Sequence, residues 1–221
     1  MKKLCVIVVV LSLVSVCRPV PLTCEKLMKP VDQDPDLTGR WYYIAGSSKV
    51  CWAIVLFNTF LWPSIAVDIT STETPDVYNY NDQLKIYGHC LNNSHLNFYK
   101  NHSIFSVDGY YAEVLLHTSC PDCIVLNAHD YTLGILSRRK AITEAELKEF
   151  EMQTECFGWS KPQVLNNEFD YQNCNTLDVN PTEWSLALKI FERAYTMRHS
   201  IASCIIDTFL PSSFQLYNRH K

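Results

Sequence analysis

The chain has 221 residues, of which 48% are hydrophobic and 19% charged, with 19 basic and 23 acidic side chains giving a formal charge of −4. That length and apolar content allow one domain of ordinary size with a real core, plus a tail. The acidic balance argues against nucleic acid and anionic membrane surfaces as partners.

Residues 1–20 read as a secretory signal peptide: Met1-Lys2-Lys3, an apolar run from Leu4 to Val16, then Arg18 and Pro19. The run is about a dozen residues against the roughly 20 that span a bilayer, and no later stretch is long enough. The mature protein is therefore expected to be secreted and soluble, with cleavage between Cys17 and Thr23. Losing Lys2, Lys3 and Arg18 leaves 16 basic against 23 acidic groups, a formal charge of −7. Cys5 and Cys17 lie in or beside the leader. The other eight cysteines (Cys24, Cys51, Cys90, Cys120, Cys123, Cys156, Cys174 and Cys204) are disulfide candidates in an oxidising compartment.

In chain order, Gly39-Arg40-Trp41-Tyr42-Tyr43-Ile44-Ala45 opens an apolar strand with a glycine two residues ahead of a tryptophan. Val50 to Trp62 is nearly continuous apolar sequence and reads as a barrel-mouth crossover plus the next strand. Ile65, Val67 and Ile69 alternate. From Val77 to Tyr87, Tyr78, Tyr80, Leu84 and Ile86 form one apolar face, on which Asp82 is the single charge. Shorter strands follow through Leu96 and Phe98, from Ser103 to Val107, through Ala112, Val114 and Leu116, from Cys123 to Leu126 and from Tyr131 to Ser137.

Turn signals separate them, including Thr74-Pro75-Asp76, Asp108-Gly109 and Pro121-Asp122. Such spacing predicts an all-β antiparallel sandwich or barrel. One helix follows between Ala141 and Cys156, with Thr143 and Glu146 at capping-box spacing. Leu177 to Phe209 looks helical after Asn180-Pro181-Thr182, and its role does not follow from the sequence. The sequons Asn92-Asn93-Ser94 and Asn101-His102-Ser103 predict surface glycosylation at Asn92 and Asn101.

These features together resemble the lipocalins, in particular the branch of alpha-1-acid glycoprotein, apolipoprotein M and the fish plasma lipocalins that bind toxins. The residues carrying the resemblance are Gly39 to Ala45, Cys90-Leu91-Asn92-Asn93-Ser94, Thr118 to Asn127, Thr154-Glu155-Cys156 and Tyr171-Gln172-Asn173-Cys174. It covers about residues 22 to 174, so residues 21–175 are expected to form the lipocalin domain and 176–221 a C-terminal extension. The fold implied is an eight-stranded antiparallel up-and-down barrel with one packed α-helix.

The resemblance also implies disulfides Cys24–Cys156 and Cys90–Cys174, each closing a long loop worth roughly 4 to 5 kcal/mol in the chain-entropy model. Cys120 with Cys123, or either with Cys51, are the remaining choices, with Cys204 as the odd one. The family stacks its Gly-x-Trp tryptophan under a basic residue of the last strand. Arg139, or Arg138, is the candidate partner of Trp41 at the barrel base, worth about 0.5 to 2 kcal/mol.

An eight-stranded barrel has room for one small molecule. Alternation points Tyr43, Tyr78, Tyr80, Asp82, Leu96, Phe98, Val114 and Leu136 inward. Matching to alpha-1-acid glycoprotein places Asp82 at an acidic pocket residue, Tyr80 at a pocket leucine and Leu136 at a pocket tyrosine. That protein's pocket arginine falls near Ser106, so its basic contribution is lost. Aromatic walls with one carboxylate and no matched cation favour amphipathic, positively charged ligands.

The expectation is thus a monomeric extracellular carrier, without enzymatic activity, metal or cofactor. The stretch Leu61 to Val67, comparable with the second strand where prostaglandin D synthase carries its thiol, has no cysteine. Cys120-Pro121-Asp122-Cys123 with His117 has metal-like spacing, but secretion favours disulfides. The alternative is an interaction protein acting on a receptor or lipoprotein particle through Val50 to Trp62 or the tail.

Overall fold

The computed structural model describes residues 23–107, 112–174 and 183–209. The signal peptide, the Asp108-Gly109 turn and Asn180-Pro181-Thr182 lie outside these residues. The elements are α1 (Cys24–Leu27), β1 (Gly39–Ser48), α2 (Cys51–Phe60), β2 (Ser64–Ser71), β3 (Val77–Ile86), β4 (His89–Lys100), β5 (Ser103–Ser106), β6 (Ala112–Leu116), β7 (Cys123–Ala128), β8 (Thr132–Ser137), α3 (Glu144–Cys156), β9 (Gln163–Val164), α4 (Glu183–Thr196) and α5 (Arg198–Phe209).

Strands β1 to β8 pair antiparallel in sequence order, and β1 pairs with both β8 and β2, which closes an eight-stranded up-and-down barrel. The two-residue β9 adds to β1 at Ala45 and Gly46, beside a bulge in the β1–β8 register. Closure leaves the barrel strands without a free edge.

Two apolar layers result from the alternation. Inside, Leu37, Trp41, Val67, Ile69, Tyr99, Ile104 and Leu115 pack as a floor. Outside, Ala45, Leu116, Val125, Leu133 and Ile135 meet Phe150 and Leu147 of α3. Thr143 starts α3 with a complete capping box: the Glu146 N–H donates to Thr143 Oγ1 at 3.3 Å and the Thr143 N–H to Glu146 Oε2 at 2.7 Å.

The floor is closed by Arg138, whose guanidinium lies 4.2 Å from the Trp41 ring centroid. Gly39 has φ +99°, and a Cβ there would press on Arg138 Nη1, so glycine is needed two residues ahead of the tryptophan. The expectation of Arg139 is corrected. Neighbouring residues point to opposite sides, and Arg139 turns outward to Asp122 at 2.7 Å and Glu146 at 2.8 Å.

Four disulfides form among the described residues: Cys24–Cys156, Cys90–Cys174, Cys120–Cys123 and Cys51–Cys204. Cys204 is therefore not the odd cysteine. Residues 163–174 form a strap across the barrel wall, held by Cys174 and by buried Lys85, whose Nζ donates to Glu168 Oε1 at 2.7 Å and to the Asp170 carbonyl at 2.9 Å.

The second correction concerns Val50 to Trp62. The crossover is helical from Cys51 to Phe60, and the next strand begins at Ser64. Periodicity cannot separate a buried strand from a helix apolar on every side, and α2 is covered on two. It faces the barrel mouth on one side and α4 and α5 on the other, where Arg193 stacks over Trp62 at 4.7 Å, donates to the Asn58 carbonyl at 3.3 Å, and Cys204 bonds Cys51. No helix of the described residues is long and apolar enough to cross a membrane.

Candidate functional site

The barrel encloses a cavity of about 440 Å³ above the floor. β3 contributes Tyr80 and Asp82, β1 Tyr43, β5 Ser106 and β8 Leu136. The structure therefore brings together five of the sequence-derived lining residues. Tyr78 shares their inward parity but packs on the floor cluster below.

Three expected lining residues point elsewhere. Leu96 is 46% exposed on the outer wall. Phe98 stacks on Phe105 at 5.0 Å on the same outer face. Val114 packs in the layer beneath α3. The β3–β4 hairpin explains the first two. Ile86 pairs with His89 around a two-residue turn in which Tyr87 has φ +49° and Gly88 φ +91°, the backbone of a tight hairpin. That turn pairs Tyr80 with His95 and Asp82 with Asn93, so the odd-numbered residues of β4 face inward. For β6 both faces are buried, one by the cavity and one by α3, and alternation alone does not choose between them.

The side chains placed inward instead are polar: Asn93, His95 and Asn97 on β4, and Glu113 on β6. The Tyr80 ring stacks on His95 with centroids 5.6 Å apart. His95 Nδ1 approaches Asp82 Oδ2 to 3.4 Å, but the geometry is not that of a hydrogen bond. Among the described residues, the buried Tyr80 Oη, His95 Nδ1 and Asn97 Oδ1 all lack a hydrogen-bond partner. Buried polar atoms left so are costly, and these three belong to side chains that line the one cavity.

The electrostatics are one-sided. Burial pushes the Asp82 carboxyl above the usual carboxylate range, against the pull of His95. Burial and then the Asp82 charge push Glu113 up in the same direction. Burial raises the Tyr80 and Tyr43 phenols, so both are neutral donors at physiological pH. No lysine or arginine lines the cavity among the described residues. Tyr43 lies over Gly134, where any Cβ would overlap its ring.

The remaining chemistry-bearing residues are engaged elsewhere. Cys51 is bonded to Cys204. Cys120 and Cys123 are bonded to each other, and the Asp122 carboxylate between them accepts from Arg139. Asn92 and Asn101 are exposed.

No family model and no curated protein matches the sequence. Solved structures do. Siderocalin Ex-FABP, described as functioning through dual ligand specificities, superposes with a TM-score of 0.51 at 14% identity, over 59% of this chain and 94% of its own. Siderocalin Q83, described as having a dual ligand binding mode, superposes with a TM-score of 0.51 at 14% identity, over 64% and 94%. At that identity the likeness concerns architecture, and with the closed barrel and its packed helix it shows that this chain has the lipocalin fold.

Proposed function

We propose that this protein is a secreted carrier that binds a small amphipathic cation inside the barrel, for transport or sequestration. The observation that carries the reading is the pair of inward carboxylates, Asp82 and Glu113, in a cavity without a lysine or arginine among the described residues. Tyr80 and His95 add aromatic faces, and cation-π attraction acts in the same direction as the carboxylates. The similarity to siderocalins supports a ligand in the barrel and leaves its chemistry to this chain's own residues.

Secretion is supported by the leader and by four disulfides, which persist in oxidising compartments. Asn92 and Asn101 are its proposed glycan sites. Cys51 is closed as a disulfide and offers no free thiol for a cysteine-based reaction. The test is native mass spectrometry of the protein from its own fluid. A released organic cation supports the reading, and a released fatty acid opposes it.

We infer a second reading from the surface. Leu188, Phe191 and Tyr195 of α4 are 59%, 70% and 63% exposed at helical spacing, and Leu56 and Phe60 of α2 are exposed as well. This favours association with an apolar partner such as a lipoprotein particle or a receptor. Elution as a monomer from whole fluid would contradict it.

A further inference from the structure

Beneath α2 lies a second chamber of about 330 Å³, roofed by Ile54 and Phe57 and walled by Leu133 of β8 and Leu165 of the strap. It shares Tyr43 and Ile65 with the main cavity, so the two spaces stand on either side of one tyrosine. Their linings differ in kind. Asp82, Glu113 and His95 all belong to the main cavity, whereas no Asp, Glu, His, Lys or Arg lines the chamber among the described residues. Its serines are already engaged, Ser47 Oγ donating to the Ser160 carbonyl and Ser48 Oγ to the Val50 carbonyl.

We propose that this chamber is the second compartment of the binding site and takes the hydrocarbon tail of an amphiphile whose cationic head lies against Asp82 and Glu113. This rests on the function proposed above and specifies the ligand class further: a single-chain alkylammonium-type amphiphile. The adjacency across Tyr43 and Ile65 sets the occupant, because a molecule held at Asp82 has an apolar space one side chain away. The roof is fixed in advance. Cys51–Cys204 and the Arg193 contacts to Trp62 and Asn58 hold α2 from outside, so little ordering is left for the tail to bring about. Ser47, Ser48 and Thr132 are the hydroxyl-bearing residues beside Tyr43 in an otherwise apolar lining, which suits a hydrocarbon better than ordered water.

The test is calorimetric titration of the full disulfide-bonded protein with n-alkyltrimethylammonium ions from hexyl to tetradecyl, and with n-alkanols of the same lengths. Affinity for the ammonium series should rise about fourfold per methylene until the chamber is full, then level off. Ile54→Trp, which occupies the chamber, should move that plateau to shorter chains. Phe57→Ala, which enlarges it, should move the plateau to longer chains and keeps the test readable if the tryptophan variant does not fold. A plateau at the same length in wild type and both variants overturns the chamber. If alkanols bind as tightly as ammonium ions while the plateau still moves, the chamber stands and the cationic-head reading falls.

Discussion

His95 Nδ1 stands 3.4 Å from Asp82 Oδ2 across the β3–β4 ladder, inside the barrel and beneath the mouth. The pair gives the wall of the cavity its sharpest polar feature, but His95 is a weak counter-charge. Burial outweighs it, and the carboxyl stays above the ordinary range. A ligand cation that replaces the missing counter-charge would stabilise the ionised form.

Asp82→Asn is therefore expected to weaken an amphipathic cation by about 1.5 to 3 kcal/mol, the range for a hydrogen bond to a charged group. An uncharged analogue of the same shape should bind wild type and variant alike. Isothermal titration of both probes reads the difference.

Glu113 has no ion pair among the described residues, and its pKa is raised first by burial and then by Asp82. A carboxyl with a raised folded pKa holds its proton more tightly folded than unfolded. The resulting stability penalty is complete above the raised pKa and disappears as pH falls to the unfolded value of about 4.3. Glu113→Gln should thus stabilise the ligand-free protein at neutral pH by about 1 kcal/mol, within the cost range of a poorly compensated buried polar group. The gain should vanish on acidification, as urea unfolding across pH would show. Cation binding should run in the opposite direction, strengthening as pH rises through the raised pKa values of Asp82 and Glu113.

At the floor, Arg138→Ala should cost about 0.5 to 2 kcal/mol by removing the cation over Trp41. Gly39→Ala should cost about 1 to 3 kcal/mol, since φ +99° and the crowding of Arg138 both oppose a side chain. Denaturant midpoints measured by far-ultraviolet circular dichroism test both. Neither change should alter ligand affinity, because Gly39, Trp41 and Arg138 do not line the cavity.

The Cys51–Cys204 bond joins α2 to the tail helices. In the double variant Cys51→Ser, Cys204→Ser, limited proteolysis should remove α4 and α5 while the fragment from Cys24 to Cys174 stays intact. Equal resistance of the tail in both proteins would show that its noncovalent contacts suffice.

Much of the barrel was legible because its strands alternate and its turns are short. Tyr80, Asp82 and Tyr43 followed from parity alone. β4 misled because two of its large apolar residues, Leu96 and Phe98, lie on the outer wall, while Asn93, His95 and Asn97 face the cavity. The signal that could have corrected this was local: Gly88 in a two-residue hairpin fixes which residues pair. Glu113 was hidden because β6 is covered on both faces, so its charge read as outward. The helix α2 was illegible for a related reason, being apolar all round between the mouth and the tail. Arg138 and Arg139 differed only by one residue of parity past the end of β8. The partner of Cys204 depended on a tail for which the barrel pattern offered no guide.

The most direct test of the cationic-carrier account is paired calorimetry with one amphipathic amine and its carboxylate analogue, using wild type and the double variant Asp82→Asn, Glu113→Gln. The account predicts that wild type prefers the amine by at least about tenfold, within the 1.5 to 3 kcal/mol range of a charged hydrogen bond, and that the double variant loses the preference. Equal binding of the two probes by wild type, or a preference that survives the double substitution, would contradict it.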